Sequence, residues 1–150
     1  SSKEEIALSH IDRLVDRVKE RLRSIAERDA PLEKRLHDML IERVMIRFDN
    51  VQHYSKSLNE ILGYLRPQLL ERRKRYFGEE AKILAMVIAE AQASGLFAKG
   101  DALDLAQTLI VATNSLLPHS LSAIELGDRE EVTDRTHKTA NLLIDGLRVR

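Results

Sequence analysis

The sequence predicts an all-α protein of about six helices, packed as an antiparallel bundle in a single domain over residues 1–150. Three observations predict this class. Apolar residues recur at helical spacing along most of the chain, no alternating run bounded by turn residues indicates a strand, and the 150 residues include only 6 glycines and 3 prolines. Strand-rich chains need more of these turn-forming residues, so helices account better for the composition.

The first predicted helix covers residues 3–27. From Ile11 onward, apolar residues lie at i, i+3, i+4 and i+7 and form one stripe, while arginines and carboxylates form the solvent-facing side. Asp29 suits a helix cap and Pro31 a first helical turn, so a second helix is predicted over 31–48. Its C-terminal half is apolar on nearly all sides, which is typical of a helix at the centre of a fold.

A third helical segment is predicted over 49–65, interrupted or distorted near residues 52–57. Ser57 and Glu60 have the spacing of a capping box, which could restart the helix at that point. Pro67 then marks a boundary, because the residue before a proline is pushed out of the α region.

The fourth predicted helix runs from Pro67 to Ser94, with Gly78 as a weak point and not a break. Gly95 fits the glycine stop of a helix C-terminus, and Leu96 is its expected hydrophobic partner.

Two further helices complete the predicted bundle. Asp101 caps a fifth helix that reaches residues 117–121, where Pro118 must end or kink it, and a last helix covers 129–149. Both have more apolar positions than one bundle buries, so we expect a homodimer in which these helices form a four-helix bundle. Monomer core is the alternative for the expected interface residues, which are Leu103, Ile110, Leu117, Leu121, Leu142, Leu143 and Val149.

Composition excludes several classes of protein. Without cysteine there is no disulfide, thiolate metal site or thiol nucleophile, and 24 basic against 24 acidic residues give no bulk attraction to nucleic acid. The longest apolar run, residues 83–89, is far shorter than the roughly 20 residues of a membrane span. The charged start does not resemble a signal peptide, so we expect a cytoplasmic protein without a membrane partner.

No catalytic or cofactor motif is found, so we expect neither an enzyme nor a cofactor. Asp49 and His53 could place two metal ligands on one helix face, but no third ligand is identifiable, so no metal is expected. A helical-bundle metalloenzyme would need paired glutamates and Glu-x-x-His ligands, which are missing. The basic run of residues 72–75 points in four directions around a helix, which is typical of a solvated face.

A mixture of methionine, aromatic and a few polar side chains from four helices is expected to converge in the interior. Flexible methionines and isolated polar groups among apolar ones are typical of a small-molecule cavity, although plain core packing is the alternative. The predicted ligand-binding residues are Met39, Met45, Phe48, Tyr54, Leu58, Leu62, Met86, Gln107 and Asn114.

The order of segments resembles the C-terminal regulatory domain of TetR/AcrR-type transcriptional regulators. Residues 69–77, residues 87–97 and the apolar helix opened by Asp101 carry the resemblance. Residues 2–6 resemble the seam where the family's helix-turn-helix domain ends, and residues 31–36 resemble the start of its next helix.

The resemblance implies the effector-sensing and homodimerisation domain of a bacterial transcriptional regulator, a repressor. A small apolar or aromatic effector would bind among the middle helices and shift the first one, here starting at Lys3, which releases DNA. The DNA-binding domain of about 50 residues is absent from this chain, so DNA would be contacted only through that missing domain. The alternative is a stand-alone helical interaction or dimerisation module without an effector.

Overall fold

The computed structural model describes residues 2–118 and 127–150. Within these ranges the chain forms six helices and no strand, which confirms the predicted all-α class. The predicted interface residue Leu121 lies outside the described ranges. The helices are α1 (Ser2–Ala26), α2 (Leu32–Val51), α3 (Lys56–Tyr64), α4 (Arg66–Ala93), α5 (Ala102–Asn114) and α6 (Arg129–Leu147).

The central helix is α2, as its apolar C-terminal half predicts. It packs against α1, α4 and α6, while α5 packs mainly against α4. The main core cluster contains the fully buried Leu22, Met39, Leu84 and Ile88. No helix in the described ranges combines the length and apolar character that a membrane-spanning segment needs.

The predicted break between the second and third helices is confirmed. The helix α2 ends at Val51, and α3 begins after Ser55, whose Oγ accepts a hydrogen bond of 3.1 Å from the backbone N–H of Leu58. The capping box predicted at Ser57 is wrong, because Ser55 is the residue that caps α3 and Ser57 already lies within the helix.

The predicted cap at Asp29 is also wrong. The residue before α2 is Pro31, and no side chain caps this helix. Instead, the guanidinium of Arg35 donates to the backbone oxygens of Ala26 at 2.9 Å and Ala30 at 2.8 Å. The side chain of Arg35 therefore stabilises the turn between α1 and α2, because the last carbonyls of α1 have no partners within their own helix.

The glycine stop after α4 is confirmed, but its hydrophobic partner differs from the prediction. Gly95 has φ +81°, a region where glycine carries no steric cost. The N–H groups of Leu96 and Phe97 both donate to the carbonyl of Ala91. Phe97 is 1% exposed and Leu96 is 37% exposed, so the phenyl ring carries the contact expected of the leucine.

The fifth helix begins where it was predicted and ends earlier. The side chain of Asp101 accepts from the N–H of Asp104 at 3.1 Å, which confirms the cap. The helix stops at Asn114, and turns lead to Pro118. The last helix ends at Leu147, two residues before the predicted end.

Several expected dimer-interface residues belong to the core of the single chain. Ile110 and Leu117 are buried, and Leu143 is half-buried against the main core cluster. Ile110 faces inward because the apolar side of α5 is covered by α4, and Leu117 packs in a second buried cluster with Val44 and Phe48 of α2. The other described members of that set are exposed, namely Leu103, Leu142 and Val149.

Candidate functional site

A cavity of about 520 Å³ opens between α1, α2, α3 and α4. Its size falls within the range of about 300–1,000 Å³ that is usual for small-molecule pockets. The cavity is lined by Ile11, Leu14 and Val15 of α1, Arg47 and Val51 of α2, Tyr54, Asn59, Leu62 and Gly63 at and in α3, Arg66, Leu69, Leu70, Arg73, Tyr76 and Phe77 of α4, and Pro118.

The cavity exists because α3 covers the bundle without filling it. This helix has only 9 residues, none of them buried, and its apolar side chains are half-buried at most. The chain is anchored directly after it by Leu65, which is 1% exposed, and α4 begins at the next residue. A short helix anchored at its C-terminal end in this way covers a space that no side chain of the described residues fills.

One face of α4 forms the longest wall of the cavity. Its lining residues follow the i, i+3, i+4, i+7 spacing of a single helix face and are Arg66, Leu69, Leu70, Arg73, Tyr76 and Phe77. The solvated-face interpretation of residues 72–75 holds for the exposed Lys74 and Arg75. Arg73 is half-buried and lies on the cavity wall.

The inner end of the cavity is built from buried charges. Arg47 Nη1 and Nη2 donate to the two carboxylate oxygens of Glu80 at 2.8 and 2.7 Å, and Arg43 Nε donates to Glu80 at 3.3 Å. Arg43 also donates to Thr113 Oγ1 at 2.6 Å and to Asn114 Oδ1 at 3.2 Å. We call these five residues the buried arginine network, and it joins α2, α4 and α5.

The buried arginine network carries a net positive charge at neutral pH. Burial lowers the pKa of Arg43 to about 10, with Glu80 acting in the opposite direction, so this arginine stays protonated. Burial raises the pKa of Glu80, but the charges of Arg47 and Arg43 outweigh it and keep that pKa below its ordinary value. Two cations therefore share one anion in the interior.

Phe77 connects the buried charges to the cavity. The guanidinium carbons of Arg43, Arg47 and Arg73 lie 5.3, 5.6 and 5.6 Å from the centre of its ring. A cation within about 6 Å of an aromatic face is attracted by the ring quadrupole. Phe77 thus holds three guanidinium groups together at one end of the cavity.

Two tyrosines supply neutral polar groups on the walls. Burial raises the pKa of Tyr54 and of Tyr76, so both hydroxyls stay protonated at neutral pH. Tyr54 Oη accepts from Asn50 Nδ2 at 2.7 Å, and Tyr76 Oη donates to Asp12. These bonds fix both rings, so the walls can orient a bound molecule.

The structure brings only part of the predicted ligand-binding set to this cavity. Tyr54 and Leu62 line it. The others lie elsewhere: Met39, Met45 and Phe48 in the packed core, Leu58 half-buried on α3, Asn114 in the buried arginine network, and Met86 and Gln107 on the surface. Met86 is 61% exposed because it lies on the side of α4 away from the cavity.

The buried charges Arg43, Arg47 and Glu80 were not predicted from the sequence. A signal for them is present, since Arg43 and Arg47 lie four residues apart on α2, on either side of the apolar residues 44–46. Glu80 similarly interrupts the apolar stripe of α4. Charges at such positions need a buried partner, which indicates that they belong to one network.

Within residues 2–118 and 127–150, no three His, Asp or Glu side chains are grouped so that they could hold a metal ion. Comparison with protein-family models, with curated proteins and with solved structures gave no match. Function is therefore inferred from the geometry and chemistry of the cavity.

Proposed function

We propose that this chain is the effector-binding and dimerisation domain of a bacterial TetR-like transcriptional regulator. The observation that supports the proposal most is the cavity of about 520 Å³, one wall of which is α1. In this proposal a small molecule occupies the cavity and displaces α1. The displacement changes the position of a DNA-binding domain attached before it.

The first helix is suited to report on the cavity. Ile11, Leu14 and Val15 line the cavity, whereas Leu22 and Ile25, farther along the same helix, are fully buried in the core. A ligand therefore meets the middle turns of α1 while its last turns stay anchored. With 25 residues, α1 is about 37 Å long, so a small tilt becomes a large displacement at its start. Coupling of this kind needs only about 1–3 kcal/mol of preference for one arrangement.

The proposed homodimer uses the outer faces of α5 and α6. Leu103 and Val111 are 38% and 70% exposed on α5, and Leu142 is 76% exposed on α6. Large exposed apolar side chains are typical of an association surface. The buried arginine network extends from the cavity to Thr113 and Asn114, at the end of α5. This connection could transmit occupancy of the cavity to the dimer.

A thermal-shift screen with a cavity-blocking variant tests the proposal. Gly63 lies on the cavity wall, and a Cβ there would have no neighbour within 4 Å. Gly63→Leu should fill part of the cavity without disturbing the helix, because leucine forms helices better than glycine by up to about 1 kcal/mol. Gly146→Leu is the matched control, since Gly146 also has open space but lies in α6, outside the cavity.

In the unmodified chain and in Gly146→Leu, we expect neutral or acidic apolar compounds to raise the unfolding midpoint. A ligand at 100 times its Kd stabilises by about 2.7 kcal/mol, or roughly 5–10 °C for a domain of this size. In Gly63→Leu the shift should be lost. Equal shifts in all three proteins, or no shift with any compound, would contradict an effector site in this cavity and favour a stand-alone interaction module.

A further inference from the structure

We infer that the ligand of this cavity is an amphipathic carboxylic acid, with an apolar body along α1 and α4 and its acid group at Arg73. The inference rests on the proposed function and specifies its effector by chemical class. It narrows the small apolar or aromatic effector that the resemblance implies.

The walls of the cavity, as far as the described residues form them, carry positive charge and no negative charge. Three arginines, Arg47, Arg66 and Arg73, line it, and its described walls include no Asp or Glu. Charges in a partly enclosed site are poorly solvated, so their field is stronger than on an open surface. A neutral ligand would leave this field uncompensated, whereas an anion would complement it.

At the inner end of the cavity, Arg73 offers the guanidinium group that a ligand can bind. The forked donors of Arg47 are already occupied by the two oxygens of Glu80. Arg73 lies over the ring of Phe77, and no carboxylate of the described residues forms an ion pair with it. Its planar guanidinium can therefore bind both oxygens of one acid group.

The charge balance favours an anionic group over a neutral one. Arg43 and Arg47 share the single carboxylate of Glu80, so the inner wall is short of negative charge before Arg73 is counted. A carboxylate at Arg73 would compensate the charge of that guanidinium. It would also be attracted by the guanidinium groups of Arg43 and Arg47 on the other side of the Phe77 ring. Its contact with the ring edge would also be favourable, because the edge of an aromatic ring is positive.

The remainder of the cavity requires an apolar body. Between the arginines, α4 contributes Leu69 and Leu70, and the opposite wall is formed by Leu14, Val15 and Leu62. A ligand that is polar throughout would lose its hydration here without gaining partners. An alkyl or aryl chain that ends in a carboxylate matches both parts of the wall.

Calorimetric titration of the chain with matched acids and alcohols tests the inference. The probes are octanoate, decanoate and cinnamate, each against octanol, decanol and cinnamyl alcohol, which have the same body and no charge. We expect at least one acid to bind about tenfold or more tightly than its alcohol, since a hydrogen bond to a charged group is worth that much.

Substitution of Arg73 shows whether the acid binds through the charge of this residue or only through the fit of its apolar body. Arg73→Gln should weaken binding of the acid by about tenfold and leave the alcohol unchanged, and Arg73→Lys should restore part of the loss. Arg75→Gln is the matched control, because Arg75 lies on the same helix over the ring of Tyr76 but does not line the cavity. It should leave acid and alcohol binding unchanged.

The outcomes distinguish this inference from the proposed function. Acids that bind no better than their alcohols, or acid binding that is unaffected in Arg73→Gln, overturn the inference. The effector site itself survives that result as long as Gly63→Leu abolishes binding of the neutral compounds. If no compound binds in a way that Gly63→Leu abolishes, the proposed function fails and the inference fails with it.

Discussion

The Glu80 carboxylate accepts three hydrogen bonds from Arg43 and Arg47, and all three side chains are buried. A buried ion pair adds little stability over a well-packed apolar substitute, because each charge must be removed from water. Removal of one partner has a different effect, since it leaves the other charges without compensation. The buried arginine network therefore fixes how α2, α4 and α5 pack, even if it contributes little net stability.

We expect Glu80→Gln to destabilise the chain by about 3–5 kcal/mol, because two buried guanidinium groups then lose their counter-charge. Glu90→Gln is the matched control on the same helix, where the carboxylate is 59% exposed and lies 3.5 Å from Arg35. An exposed pair of this kind contributes about 0–1 kcal/mol. Urea unfolding of both variants measures the difference, and equal losses of stability would contradict the role assigned to Glu80.

Single residues were the least predictable scale. The apolar half of α2 predicted a central helix, but periodicity does not show that Arg43 and Arg47 turn inward with it. Their partner Glu80 lies in another helix, 37 and 33 residues farther along the chain. Which charges meet is decided by tertiary packing, and one sequence does not contain that pairing.

At the scale of helices, position and type could be predicted and ends could not. The 3.6-residue period of apolar positions is a local property, so each of the six described helices lies where the pattern placed it. Helix ends depend on which of several capping groups is used. Ser55 caps α3 in place of Ser57, and α5 stops at Asn114 instead of continuing toward Pro118.

Substitutions on the outer faces of α5 and α6 should dissociate the proposed dimer. Because Val111 and Leu142 are 70% and 76% exposed in the single chain, Val111→Lys and Leu142→Lys should convert the proposed dimer to monomer without unfolding it. Met86→Lys is the control, since Met86 is 61% exposed on α4. Analytical ultracentrifugation measures the mass, with circular dichroism as the check of folding. A monomer before any substitution, or a dimer that both variants leave intact, would contradict this interface.

At the scale of the whole molecule, a long α1 is anchored in the core at its C-terminal end and borders the cavity with its middle turns. This arrangement could not be predicted from the sequence, because it depends on α3 lying across the bundle without filling it. The predicted site drew on methionines throughout the interior, and the structure packs Met39 and Met45 tightly instead. Packing density decides where space remains, and it is a property of the assembled helices.

The central claim is that filling the cavity moves the N-terminal half of α1. The chain has no cysteine, so pairs of introduced cysteines can carry spin labels at chosen positions. Ser9→Cys and Ser24→Cys lie on exposed positions near the two ends of α1, and Asn141→Cys on α6 is the common reference. Electron–electron distances are measured with and without the tightest binder of the acid and alcohol series, in labelled chain diluted with unlabelled chain.

The account predicts that the 9–141 distance changes on binding by about 1–2 Å or more, the scale of helix shifts in ligand-driven switches. The 24–141 distance should stay the same, because Leu22 and Ile25 hold that end of α1 in the core. A bound ligand that leaves both distances unchanged, or shifts both equally, would contradict a cavity that signals through α1.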